Sequence, residues 1–402
     1  MGEVVNAVYS SSLNICRCVK SIHMIYDSYD EENSLKTLER MRRVTEDGIP
    51  VVNMSALTPT PKKPDSFWPS VTNKVQTQQI SKGLVCQKNH VTSSVTVNGE
   101  LVPAMIGTKE VPELNSFVEE ADGKLPIHVA YALKTQKLRR VVVLSSDTDS
   151  VMYLLRHTPY FMSLGLTELW LQYGTGANQD MKPLHELSEK ISPARCKVLV
   201  KAHILTGEDV MSKVGTKKAA MQHDPIQYLD TIGETPVPTP AEMAKAEEYL
   251  VRVYARARAT PVLRTFDGLR LEQHLSGKVG IEALPPTSSV MRTHIRRGVY
   301  LIYKVCNALN PDALDLDPME YGFEKLFGIV VPTKSLKPLP EKMTKACTCA
   351  GKCGDKRCTC VSSDNKCVLF CHKKSSGGLG RNKIQQLNLC TLHKQPSSDR
   401  VL

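Results

Sequence analysis

The stretch Arg139-Arg140-Val141-Val142-Val143-Leu144-Ser145-Ser146-Asp147-Thr148-Asp149 decides how this chain reads. Three consecutive valines and a leucine, with no polar alternation, predict a strand over 139–146 covered on both faces, as in a parallel sheet. Two carboxylates follow at the C-terminal end of that strand, at a turn into a helix starting near Asp149. Clustered carboxylates repel, and burying them is expensive unless a cation joins them. The alternative for either acidic pair alone is ordinary helix N-capping, because Asp and Glu are favoured in a first helical turn.

Working outward, residues 19–27 alternate as a strand that ends on Asp27, and 33–43 read as a basic helix capped by Asn33. A helix is expected over 68–85, and a hairpin over 91–105 with Asn98-Gly99 as its turn. Residues 119–134 read as a helix opened by Glu119, Glu120 and Asp122, with Pro126 inside its second turn. Residues 166–173 form another strand, and helices follow over 184–191 and 194–205. Strands alternating with helices imply a mainly parallel α/β sheet, whose functional groups gather at the C-terminal ends of strands. From about residue 239 the pattern becomes helical, over 241–258 and 288–308. The expected organisation is an α/β domain over 1–238, a helical extension over 239–330, a Pro/Lys linker over 331–346, a cysteine-dense module over 347–372 and a basic tail over 373–402.

Asp27, Glu120, Asp122, Asp147, Asp149 and Asp209 are the candidate metal ligands. Oxygen donors without histidine suit Mg²⁺ or Mn²⁺. Two such ions about 4 Å apart activate a water and stabilise the leaving oxygen in phosphodiester hydrolysis. Val214-Gly215-Thr216-Lys217-Lys218-Ala219 follows the last acid as a glycine turn opening a helix, the kind of place where backbone N–H groups meet a phosphate. Gly215, Lys217 and Lys218 are therefore candidate nucleic-acid contacts, and a surface turn is the plain alternative. Lys36, Arg40 and Arg43 share one helix face by their spacing and could steer a phosphate, or form a solvated basic face.

The 402 residues carry a net charge of +11, and from Glu341 to Leu402 there are 12 Lys and Arg against 4 Asp and Glu. A basic tail points to polyanions, nucleic acid first and DNA within that class, although a solvated tail has the same composition. No apolar run is long enough to span a bilayer, and no basic segment followed by an apolar core opens the chain, so an intracellular protein with reduced thiols is expected. Cys347, Cys349, Cys353, Cys358, Cys360, Cys367 and Cys371 then indicate metal rather than disulfides. Seven thiolates with His372 would fill two four-coordinate zinc sites, whereas three Zn²⁺ ions would require shared thiolates. Interleaved Lys352, Lys356, Arg357, Lys366, Lys373 and Lys374 favour phosphate contact; a zinc-stapled protein-interaction module is the alternative.

The ordered set Tyr26-Asp27, Glu120-Ala121-Asp122, Asp147-Thr148-Asp149 and Gly207-Glu208-Asp209 followed by Val214-Gly215-Thr216-Lys217-Lys218-Ala219 resembles the flap-endonuclease (XPG-like) branch of the PIN-like nucleases. Together with Leu284-Pro285-Pro286-Thr287, His294-Ile295-Arg296-Arg297 and the cysteine cluster, it is similar to a group of transposon-linked animal proteins. The cysteine spacing resembles the tesmin-type CXC module, a zinc-cluster DNA-binding element. The resemblance implies a PIN-like sheet flanked by helices, two divalent ions on the acids, a helix–three-turn–helix grip on duplex backbone and a nuclear location. The family opens on a strand with its own Asp, whereas residues 1–18 contain none, so that strand is expected to be missing here. Three functions follow as expectations: a metal-dependent structure-specific nuclease, a catalytically inactive DNA- or chromatin-binding protein that acts through its zinc module, and a protein-interaction scaffold.

Overall fold

The computed structural model describes residues 1–15, 19–28, 34–38, 40, 50–51, 53–86, 94–99, 102–106, 109–116, 118–174, 179–255, 264–276, 283–334 and 362. The chain divides into two compact units, Met1–Glu272 with Pro285–Thr333, and Gln273–Leu284 with Lys334–Leu402. The seven clustered cysteines and His372 lie outside the described residues, as does Arg43.

The fold is mixed α/β and mostly helical, and its strands form three small sheets. The first helix, α1 (Gly2–Ile15), precedes β1 (Ser21–Ile25). After α2 (Val71–Cys86) comes β2 (Ser94–Gly99), parallel to β1, then β3 (Val102–Ile106) and β4 (Lys109–Glu110), both antiparallel. A second three-stranded sheet contains β5 (Arg140–Leu144), β6 (Glu168–Tyr173) and β7 (Asp180–Pro183). Its β5 and β6 are parallel and joined by α4 (Thr148–Ser163); α3 (Ala121–Lys134) precedes β5. The expected single, mainly parallel sheet is thus divided: among the described residues each of the two larger sheets holds one parallel pair, and β1 shares no ladder with β5.

This division explains a second difference. The strand expected to be covered on both faces is half-exposed: Val143 is buried, but Val142 and Leu144 are 38% and 47% exposed. Among the described residues β5 pairs only with β6, and its side chains alternate: Val141 and Val143 face the core, while Val142 and Leu144 lie on the opposite, partly exposed face. The hairpin β2–β3 forms, but Asn98 and Gly99 belong to β2, and Gly99 pairs with Val102, so the Asn-Gly pair is not its turn. Helix α3 continues through Pro126. Proline has no N–H for the carbonyl four residues back, so the Asp122 carbonyl loses its helical partner there.

After β7 the chain is helical: α5 (Leu184–Ile191), α6 (Pro193–Leu205), α7 (Lys217–Gln222), α8 (Ile226–Leu229), α9 (Pro240–Ala255), α10 (Phe266–Ser276) and α11 (Ser288–Cys306). A hairpin of β8 (Phe323–Leu326) and β9 (Ile329–Pro332) ends the unit. The largest core runs on both sides of residue 238, joining Val200, Ile204, Tyr249, Phe266, Ile295, Val299 and Val330. A second core packs α3 and α4 on the β5 sheet through Leu125, Val129, Leu154, Phe161, Leu169 and Leu171. No helix among the described residues is long and apolar enough to cross a membrane.

Candidate active site

The candidate acids come from different elements and gather at the C-terminal ends of β1 and β5. Asp27 follows β1 and accepts the Ala121 N–H at 2.8 Å, so it caps α3 from another strand. Asp147 is the N-cap of α4, accepting the Asp149 N–H at 2.9 Å. Asp122, in the first turn of α3, accepts from the Ser150 hydroxyl. Burial, with added repulsion from Asp147, Asp149 and Asp27, pushes Asp122 up to about 6 despite the Ser150 bond. That repulsion couples acids on β1, α3 and α4 in one field.

Several cations close on these acids from within. Lys36 places its ammonium 2.6 Å from Glu120 and 3.0 Å from Asp209. Burial pulls Lys36 down, but the two carboxylates outweigh it and hold the side chain well above the ordinary lysine value. Arg40 pairs with Glu119 at 2.8 Å and donates to Ser34, whose hydroxyl also donates to Glu119. Thr37, Leu38 and Arg40 are helical, and the Arg40 N–H bonds the Lys36 carbonyl at 2.8 Å. Lys36 and Arg40 both turn towards acids, and Arg43, the third residue of the expected basic face, lies outside the described residues. His203, on α6, donates to buried Asp149 at 2.6 Å. Lys124, only 1% exposed, donates to the Tyr26 carbonyl at 2.9 Å and to the Ser28 hydroxyl at 2.7 Å, and so ties α3 to the end of β1.

The glycine turn serves the protein's own backbone. Thr216 caps α7. Lys217 donates to the carbonyls of His203 at 2.5 Å and Gly207 at 2.6 Å, and to the Thr206 hydroxyl at 3.2 Å. Its ammonium therefore serves the C-terminal end of α6, where carbonyls lack helical partners. Desolvation of its ammonium lowers Lys217 to about 8, against the opposing pull of Asp149 and Glu208, although the residue as a whole is exposed. Gly215 has φ +65°, and a Cβ there would stand 2.9 Å from the Val253 carbonyl oxygen; the glycine is required for the turn to pack on α9. Lys218 is exposed.

Glu208 is the acid that spacing did not single out. Asp209 was the candidate in that motif, but it is Glu208 that is turned inward. Tyr153, buried on α4, donates its hydroxyl to Glu208 Oε1 at 2.5 Å, while Oε2 is sealed from solvent without a hydrogen-bond partner. Burial and the nearby Asp149 push Glu208 above the ordinary carboxylate range. Burial likewise raises Glu120, with Glu208 and Asp27 adding to it against the pull of Lys36. Both glutamates line a cavity of about 90 Å³ with Leu35, Tyr153, Tyr300 and Lys304. The sequence signal for Glu208 is weak, because adjacent acids in a loop have no fixed facing.

All the donors are oxygens, which fits a hard divalent cation, and the unpartnered Glu208 oxygen marks unmet demand for positive charge. Among the described residues, however, no three His, Cys, Asp or Glu side chains converge closely enough to hold an ion. The chain matches no protein-family model, no curated protein and no solved structure.

Proposed function

We propose that this chain binds nucleic acid, DNA in the first instance, and that the acids around the ends of β1 and β5 form a PIN-like, divalent-metal-dependent nuclease centre. The observation that carries this reading is that three acids from three segments meet: Asp27 caps α3, which carries Asp122, and Asp122 accepts from Ser150 and, at 3.5 Å, from Ser145, whose hydroxyl also receives the Asp147 N–H; the crowding raises Asp122. Proteins tolerate such crowding where a cation is meant to bind. Asp27, Glu120, Asp122, Asp147, Asp149 and Asp209, with Glu208 beside them, would hold Mg²⁺ or Mn²⁺. Such ions supply an activated water and neutralise the leaving oxygen in phosphodiester hydrolysis. Asp147 orients the start of α4, and His203 fixes the Asp149 carboxylate. Lys36 is bound to two of the candidate ligands, so a cation taking Glu120 and Asp209 would free its ammonium for a phosphate. In the C-terminal unit, Cys347, Cys349, Cys353, Cys358, Cys360, Cys367, Cys371 and His372 would hold two or three structural Zn²⁺ ions and add affinity for DNA. A nuclear location follows from this reading.

The second reading is a pseudo-nuclease that binds DNA without cutting it. Lys36 favours it: an ammonium between Glu120 and Asp209 already supplies charge that a metal would supply. One assay separates the two. The purified chain is incubated with a labelled 5′-flap duplex in Mn²⁺ or in EDTA, beside an Asp122→Asn/Asp147→Asn variant. Metal-dependent cutting that disappears in the variant supports the nuclease. Retained binding without cutting supports the second reading, and no binding at all removes both.

A further inference from the structure

The segment Leu57-Thr58-Pro59-Thr60-Pro61-Lys62-Lys63-Pro64 offers hydroxyls far in sequence from the acids. The chain holds seven Ser-Pro or Thr-Pro pairs, and in two of them, at Thr60 and Ser192, a basic residue stands three places after the hydroxyl, at Lys63 and Arg195. A hydroxyl followed by proline and then a cation is the pattern that a proline-directed protein kinase selects in an extended substrate. The proline has a physical part in this: its ring drives the preceding residue out of the helical region, so the acceptor is extended before it binds. As sequence the two pairs are equal, and the fold separates them.

Ser192 is committed to the joint between α5 and α6. Its φ is +75°, its hydroxyl accepts the Arg195 N–H at 3.4 Å as the N-cap of α6, and its carbonyl receives the Cys196 N–H at 3.0 Å. Pro193 is already helical, so drawing Ser192 into an extended strand would undo the cap and the first turn of α6. Thr60 has no such duty. It is exposed, as are Pro59, Lys62, Lys63 and Pro64, and residues 59–63 belong to no helix or strand. Among the described residues the Thr60 hydroxyl has no hydrogen-bond partner. The segment is also presented between two fixed points. Before it, the Ser55 N–H donates to the Thr58 hydroxyl at 2.9 Å, which occupies the neighbouring Thr-Pro hydroxyl. After it, Phe67 is buried at the end of the short helix Pro64–Phe67.

We infer that Thr60 is a phosphorylation site for a proline-directed Ser/Thr kinase, with Lys63 as the basic recognition residue. The Thr60 oxygen attacks the γ-phosphorus of ATP; its O–P bond forms as the bond to the ADP oxygen breaks, and its proton passes to the catalytic aspartate of the kinase. The phosphate brings a charge of about −1.5 to −2 at pH 7 beside Lys62 and Lys63, so a cationic stretch becomes close to neutral. The inference goes beyond the nucleic-acid reading and does not depend on it. In its test the full chain is incubated with Mg²⁺, γ-labelled ATP and a purified cyclin-dependent kinase, and the phosphate is placed by mass spectrometry. The expected result is label on Thr60 that is lost in Thr60→Val, kept in Thr60→Ser and in Ser192→Ala, and reduced in Lys63→Ala. Synthetic peptides copying residues 55–66 and 187–198 should both be labelled, which assigns the choice between the two pairs to the fold. Label on Ser192 of the full chain equal to that on Thr60 would overturn the inference. So would a full chain that takes no label at Thr60 while the 55–66 peptide is labelled, because the segment would then not be presented. Failure of both the chain and that peptide to take label would overturn the assignment to this kinase class.

Discussion

Helices α4 and α6 carry two charge clusters that behave in opposite ways. Towards the start of α4 lie Asp147 and Asp149, with acids from α3 and the loop after α6 close by. Two turns further along α4, Arg156 joins Lys197 and Lys201 of α6 around Glu234 and Asp230. There the fully buried Lys201 ammonium donates to Glu234 at 2.6 Å and to the Asp230 carbonyl at 2.7 Å, so one carboxylate and one carbonyl satisfy it. The acidic end has more carboxylates than partners and leaves a sealed glutamate oxygen bare. The Lys201 cluster has the character of a structural fastening. The acidic cluster carries strain of the kind found where a ligand binds.

The largest expected effect lies in the fastening. Lys201→Ala should lower stability by about 2–4 kcal/mol, the range for breaking a buried pair, reduced because Glu234 reaches solvent. Urea unfolding followed by circular dichroism checks it; a loss below about 1 kcal/mol would mean that the network contributes little.

A smaller effect, of opposite sign, is expected at the acids. Asp122→Asn removes a carboxylate whose folded value is raised to about 6 from 3.8, so the folded parent binds protons more readily than the unfolded chain between those values. Its contribution to stability therefore falls as pH rises through that window. The variant and parent should melt alike near pH 4, and at pH 7 the variant should be more stable by about 1–2 kcal/mol. Buried His157 and His294, lowered to about 4 by burial, act the other way in both proteins: their contribution is present above pH 6.5 and lost as pH falls towards 4. A fixed gap between the two melting curves at every pH would contradict the assignment to Asp122.

The smallest effects separate two neighbouring lysines. Lys217→Met should cost about 1–2 kcal/mol through loss of its bonds to the end of α6. Lys218→Ala, at an exposed position, should stay within about 0.5 kcal/mol. Differential scanning calorimetry of both variants decides whether the turn is held from inside.

The sequence made the β5–α4–β6 unit legible, because a valine run followed by Asp-Thr-Asp encodes both the strand and the cap that Asp147 provides. It also made α6, α9 and α11 legible as helices. It did not reveal that the sheet divides, since a strand's own residues do not name its neighbours. Helix α1 and the β8–β9 hairpin went unread; Phe323-Glu324-Lys325-Leu326 carries two charges, and Phe327-Gly328 is a turn of unusual composition. At the site, spacing placed Lys36 and Arg40 on one face but could not say what that face meets; it meets Glu120, Asp209 and Glu119. Lys217 was likewise assigned to an outside partner, because a positive charge after a glycine gives no sign that helix carbonyls will receive it.

Pro126 has a mechanical consequence. Glu120 stands at the N-cap position of α3, and Asp122 lies in its short first turn, just before the ladder misses the rung that the Asp122 carbonyl would form. Opening that turn breaks one hydrogen bond fewer than opening an equal length elsewhere in the helix. The two carboxylates therefore ride on a turn held chiefly from outside the helix, by the Asp27 cap, the Ser150 hydroxyl and the Lys36 ammonium, whereas the rest of α3 is anchored in the core through Leu125, Val129 and Leu133.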